Sequence, residues 1–171
     1  MRYLLWTFRA VVVIGVGLGL HWTLPKREIV RITGTDVVRM DVEETNAQGD
    51  AVTRSRDRRL INAVTPGGEP EVFRNEDTGW GWPPYFKFDS ADLAAEAEDA
   101  ASTRDDPRWV ILRHYGWRVT FLSVFPNALS IHPAEGPDQR LIPWFNIAAL
   151  VVVAALLLLL RRKLRGLLGL D

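Results

Sequence analysis

The sequence predicts an α+β protein in which two transmembrane helices flank a small, β-rich extracytoplasmic domain with one helix of its own. Three observations predict it. Both ends of the 171-residue chain are long apolar runs. The middle is polar and acidic: residues 25–142 hold 15 Lys/Arg and 20 Asp/Glu, whereas the two ends together hold 6 basic residues and one acid, Asp171. Within the middle, short β-branched segments alternate with Gly, Pro and Asn turns, broken once by an alanine-rich stretch. The formal net charge of zero thus averages over two unlike solvents.

Residues 1–24 form the first expected span. Leu4 to Leu20 is apolar apart from Thr7 and Arg9, and His21 to Leu24 supply the remaining length. Arg9 lies close enough to one end for its stem to reach the headgroups. Trp6 and Trp22 stand about 24 Å apart along a helix, the spacing of interfacial anchors. A cleaved signal peptide is the rival reading, but His21-Trp22-Thr23-Leu24 lacks the small residues of a cleavage site. Gly15 and Gly19 form a small-xxx-small pair, which lets a second helix approach closely; the alternative is a thin face turned to lipid.

Residues 141–160 form the second span, about 30 Å long as a helix. Pro143 falls in its first turn, where a missing N–H costs little. Arg161, Arg162, Lys163 and Arg165 follow at once in a basic tail, residues 161–171. The positive-inside rule then places both termini in the cytoplasm and residues 25–140 outside the inner membrane.

In that domain, Glu28 to Met40 reads as a strand with Gly34 as a bulge, Asn46 to Asp50 as a turn, and Val52 to Val64 as a second strand. Pro66-Gly67-Gly68 marks a turn before a short strand at Val72-Phe73, and Tyr85 to Phe88 alternates again. Ser90 is placed to cap a helix from Ala91 to about Ala101. Trp109 to Tyr115 and Trp117 to Val124 read as two strands around Gly116. The order suits a twisted sheet or a partly open barrel with one helix packed on it.

Function classes narrow by exclusion. The chain has no cysteine, so disulfides, thiol nucleophiles and cysteine-bound metals are out. The acidic domain argues against nucleic acid. His21, His114 and His132 have no metal-ligand spacing, and neither metal nor cofactor is expected. The acidic pairs Glu43-Glu44, Glu76-Asp77 and Asp105-Asp106 sit in turns and loops, and no nucleophile–base–acid pattern is visible. Arg54, Arg56 and Arg58 recur at period two: either an anionic-ligand face, or partners of Asp41, Glu43 and Glu44 across a hairpin. The densest feature runs from Phe73 to Asp89, where Trp80, Trp82 and Tyr85 stand with Phe86 and Phe88 among two glycines and two prolines. These rings either plug the open end of the sheet as core or form a binding surface.

The blocks PKREIVRITGTDVVRMD (25–41), RDRRLINA (56–63), FRNEDTGWGWPPYFKFDS (73–90) and YGWRVTFLSVFPNALSI (115–131) resemble the bacterial "domain of unknown function 1523" family. The resemblance covers most of the chain and implies a bacterial, Gram-negative membrane protein. It brings no activity and no catalytic residues. The expectation is a non-enzymatic inner-membrane protein that contacts the lipid bilayer and binds a membrane or periplasmic protein partner through its outer domain. A module for cell-wall glycan or anionic lipid is the first alternative, and a hydrolase using loop carboxylates the second.

Overall fold

The computed structural model describes residues 2–45 and 51–167. They divide into two units, one through Gln139 and one from Arg140 onward. The expected turn over 46–50 lies outside the described residues.

In the first unit, helix α1 (Arg2–Thr23) leads through Pro25 into strand β1 (Lys26–Thr45). Strands β2 (Ala51–Val64), β3 (Pro70–Arg74), β4 (Trp109–Tyr115) and β5 (Asn127–Pro133) complete a closed barrel in the order β1-β2-β3-β5-β4. The sheet is therefore closed, not partly open. Every pairing is antiparallel except β3–β5, a single parallel step at Arg74↔Asn127. That narrow seam is reinforced from the side: the Arg74 N–H donates to the Pro126 carbonyl at 2.8 Å, and its Nε to the Phe125 carbonyl at 2.8 Å.

β1 is long because it serves two neighbours. Lys26–Arg31 pairs with β4, and Arg31–Thr45 pairs with β2 across a register shift between Ile32 and Gly34, the bulge expected there. Beyond Asp36↔Leu60 these two strands run on together as a hairpin arm. Alternation sets the barrel interior: Val30 and Ile32, Ile61 and Ala63, Phe73, Val110 and Leu112 all point inward and are buried. Helix α2 (Ser90–Asp99) adds Leu93 and Ala97 to that core. Its first residue is Ser90 itself, with Asp89 at the cap position making no side-chain cap bond. The Asp77 carboxylate takes over that role, accepting from the Ser90 N–H and hydroxyl, both at 2.9 Å.

Two sequence expectations fail here. Trp117–Val124 is not a strand: a 3-10 turn spans Thr120–Leu122, Ser123 adopts φ +50°, and Val119↔Val124 is an isolated bridge. The last strand is instead Asn127–Pro133, held by β4 rather than by its own weak β propensity. Tyr85–Phe88 alternates without belonging to the sheet.

The second unit carries helix α3 (Trp144–Leu167), which continues through Arg161, Arg162 and Lys163. Among the described residues, one helix is long and apolar enough to cross a membrane, Trp144–Lys163. The expectation of two such helices is thus met by one. The 22-residue α1 is diluted by Thr7, Arg9, His21 and Trp22.

Candidate functional site

The aromatic segment between β3 and α2 is a rigid, pinned loop. At its start, the Asn75 N–H donates to the Arg59 carbonyl at 2.9 Å, and Asn75 Nδ2 to the Ser90 carbonyl at 2.7 Å. Glu76 and Asn127 clasp each other, N–H to Oδ1 and Nδ2 to carbonyl, both at 2.9 Å. At its far end Lys87 is buried, its ammonium donating to Asn75 Oδ1 at 2.5 Å and to the Ala128 carbonyl at 2.8 Å. Burial pulls the Lys87 ammonium down to about 8. Pro83 is fully buried. The Tyr85 hydroxyl donates to the Thr23 carbonyl in the last turn of α1, and its ring lies 5.0 Å from that of Tyr115. Burial raises the Tyr85 hydroxyl to about 12.

Around these anchors the loop is built inside out. Tyr85 and Lys87 point in, and Phe86 and Phe88 point out. Trp80 and Trp82 are 84% and 74% exposed, and Phe86 and Phe88 are 52% and 58% exposed. Trp80 touches the edges of Phe86 at 5.4 Å and Phe88 at 5.7 Å, so three of the rings form one exposed cluster. The core-plug expectation is overturned. The barrel closes without these rings, because Phe73, Leu93 and Ala97 already fill it. Full burial of such a ring contributes roughly 1.5–3 kcal/mol, and each exposed ring leaves a large part of that unrecovered on a free surface.

A second exposed apolar pair lies on the β4–β5 connection, where Phe121 is 85% and Leu122 62% exposed. This connection is tied to the same helix end. The Gly116 N–H donates to the Trp22 carbonyl at 3.0 Å, and Trp117 Nε1 to His21 Nδ1 at 2.7 Å. Gly116 sits at φ +95°, and a Cβ there would lie 3.6 Å from Pro126 Cα and 3.7 Å from Trp22 Nε1. The Cβ would meet only ordinary contacts, so it is the positive φ that selects glycine at this crossing.

The other candidates separate. Arg58 is engaged: its Nε lies 3.0 Å from Glu76 Oε1, and Arg74 NH1 lies 3.2 Å from Glu76 Oε2. Arg58 and Arg74 line a cleft of about 400 Å³ with Val38, Leu60, Leu122 and Phe125. The side chains of Arg54 and Arg56 lie outside the described residues. Arg54, Arg56 and Arg58 stand opposite Val42, Met40 and Val38, while Asp41, Glu43 and Glu44 stand opposite Ser55, Thr53 and Val52. On α1, a Cβ at Gly15 or Gly19 would meet nothing within 4 Å. Of the loop carboxylates, Glu76 and Asp77 are held by arginines and by Ser90 respectively, and Asp105 and Asp106 are exposed.

The carboxyls that do converge are strand residues. Glu28, Glu71 and His114 occupy the inward registers of β1, β3 and β4, in line with Val30, Phe73 and Leu112. His114 is buried against the Phe73 ring at 5.1 Å, with Nε2 3.2 Å from Glu28 Oε1, yet neither ring nitrogen makes a well-aligned hydrogen bond. The His114 contact holds the Glu28 carboxyl down to about 2. Burial, followed by the hydrogen bond and charge of Glu28, pushes Glu71 up to about 7. Glu28 is thus ionised at neutral pH, while Glu71 is near the midpoint of its titration. Parity was the available signal, because Glu28 shares its face with Val30 and Ile32. Among the described residues, no group of His, Asp and Glu is arranged to hold a metal ion.

Residues 1–167 match the family described as "Protein of unknown function (DUF1523)". The chain belongs to the DUF1523 family. This DUF1523 protein is also 35% identical over 129 residues to a protein of Haemophilus influenzae named "Uncharacterized protein", covering 73% of this chain and 72% of that one. No solved structure matches.

Proposed function

We propose that this DUF1523 protein is a non-enzymatic component of the bacterial envelope. In this reading α1 and α3 both span the inner membrane, both termini are cytoplasmic, and the barrel works on the periplasmic side. The barrel binds a partner through the loop bearing Trp80 and Trp82, with Tyr85 as its tether. One observation carries the binding surface: a loop that buries a lysine and exposes four aromatic rings, on anchors too numerous for the arrangement to be slack. The basic run after residue 160 supports the orientation. For α1, support comes from its 22-residue length and from its exposed Val11, Val13, Ile14 and Leu18.

A photo-crosslinking amino acid at position 82 of the full chain, irradiated in living cells, tests the surface. We expect a covalent adduct, to protein or to lipid, at high yield. Absence of any adduct in folded protein overturns the reading.

A further inference from the structure

We propose that the exposed aromatic loop and the Phe121-Leu122 turn are a two-pronged lipid-embedding surface, which seats the barrel on the outer face of the bilayer from which α1 emerges. This rests on the binding-surface reading above and names its partner.

Both prongs are fastened to the last turn of α1. Tyr85 binds the Thr23 carbonyl, Gly116 binds the Trp22 carbonyl, and Trp117 binds His21. Thr23 is the last residue of α1, so its carbonyl has no partner further along the helix and is free to accept from Tyr85. These contacts tie the loop bearing Trp80, Trp82, Phe86 and Phe88 to the end of α1 through Tyr85, and the connection bearing Phe121 and Leu122 through Gly116 and Trp117.

The chemistry of the prongs fits an interface better than a protein groove. Tryptophan and phenylalanine on short, stiff loops suit the headgroup–acyl boundary, where ring bodies find hydrocarbon and indole N–H groups find water or phosphate. The helix that both prongs are tied to carries exposed apolar residues of its own, such as Leu18. Basic residues accompany it: Lys26 and Arg27 follow the helix directly, and the Arg118 guanidinium lies over the Phe125 ring at 5.2 Å. Cations at this level face the phosphates of anionic lipid. The inverted pattern at Tyr85–Phe88 then has a single cause. The loop stands between a polar anchoring site in the barrel and an apolar solvent outside, so its lysine turns inward and its rings turn outward.

The cysteine-free chain allows a direct test. Single cysteines at Pro84, Thr120, Val13 and Arg104 carry a nitroxide in the full chain, reconstituted in vesicles of mixed zwitterionic and anionic phospholipid. Oxygen, which concentrates in lipid, and a water-soluble nickel chelate then report depth. Pro84→Cys and Thr120→Cys leave every ring in place. We expect oxygen to exceed nickel several-fold at 84, 120 and 13, and the ratio to invert at 104. Changing Trp80, Trp82, Phe86 and Phe88 to serine is expected to bring the label at 84 into water and leave the one at 13 in place. Aqueous readings at 84 and 120 with a lipid reading at 13 overturn the embedding alone. Shielding of 84 from both reagents also overturns it, in favour of a protein partner on the same surface. An aqueous reading at 13 overturns the α1 span on which both proposals stand.

Discussion

Strand β4 and the segment 85–88 obey the same period of two with opposite results. In β4, Val110, Leu112 and His114 turn into the barrel, and the arginine at 113 is not buried. In the loop, Lys87 turns in and the phenylalanines turn out. Alternation therefore fixes that two faces exist and leaves open which face is wet. The choice falls to what lies on either side. β4 has an apolar interior to fill, whereas the loop lies over Asn75 and the Ala128 carbonyl, two acceptors that an ammonium satisfies and a phenyl ring would strand.

If that contrast is right, rings in the two regions carry stability very differently. Phe73, with no exposed surface, packs among the inward residues of the barrel and against His114. Phe73→Ala is expected to cost about 3–5 kcal/mol, from lost transfer energy plus the cavity left behind. Urea unfolding in detergent micelles checks it; a loss under 1 kcal/mol would mean that the barrel core is not where the fold is held.

Lys87→Ala comes next, at about 2–3 kcal/mol. It removes two hydrogen bonds and leaves Asn75 Oδ1 and the Ala128 carbonyl buried without them. It is also expected to loosen the whole loop, seen as faster amide exchange across Thr78 and Gly79, whose partners include the Lys87 backbone. Equal stability of the alanine variant would show that the lysine's burial confers nothing.

Legibility in the sequence follows the same divide. The strands carrying β-branched runs, at Glu28–Met40, Val52–Val64 and Trp109–Tyr115, are readable because packing and propensity agree there. β5 is not readable: Asn127, Ser130 and Pro133 have poor strand propensity, and only the hydrogen-bonding edge of β4 makes them a strand. Trp117–Val124 misleads in the opposite sense, since its alternating apolar residues end in a tight turn at Ser123. The ring cluster is visible as composition, but its exposure depends on Lys87, and a lone lysine gives no sign that it is buried. Glu28, Glu71 and His114 come from three separated segments, so only the register brings them together.

That corner gives a smaller, pH-dependent effect. Glu71 is raised from 4.5 to about 7 in the folded protein, so between those values the folded state holds a proton that the unfolded state has lost. Stability from this residue is greatest below 4.5 and declines as pH rises through 7. Glu28, lowered to about 2, acts in the opposite sense, contributing stability above 4.5 that is lost as pH falls toward 2. Between pH 5 and 8 the Glu71 effect dominates. Allowing for solvent screening of a half-exposed pair, it amounts to roughly 1–2 kcal/mol. The melting temperature should fall across that window, and Glu71→Gln should flatten the fall; an unchanged slope would separate the two carboxyls.

Trp82→Ala is expected to have the smallest effect on folding, within about 0.5 kcal/mol, because the ring is largely exposed and its neighbours are pinned by Pro83, Tyr85 and Lys87 rather than by the indole. Its effect on association should be the larger one. A tryptophan anchored in an interface or a partner pocket contributes about 2 kcal/mol or more, so the variant should lose most of the crosslinking seen at neighbouring positions while melting as the parent does. The pair of measurements decides between the regions. If Trp82→Ala unfolds the protein as Phe73→Ala does, the loop is core after all, and the inverted alternation at residues 85–88 has another cause. If it changes neither stability nor crosslinking, the rings are idle surface. Only loss of contact with retained stability makes the loop a surface built for something outside the chain.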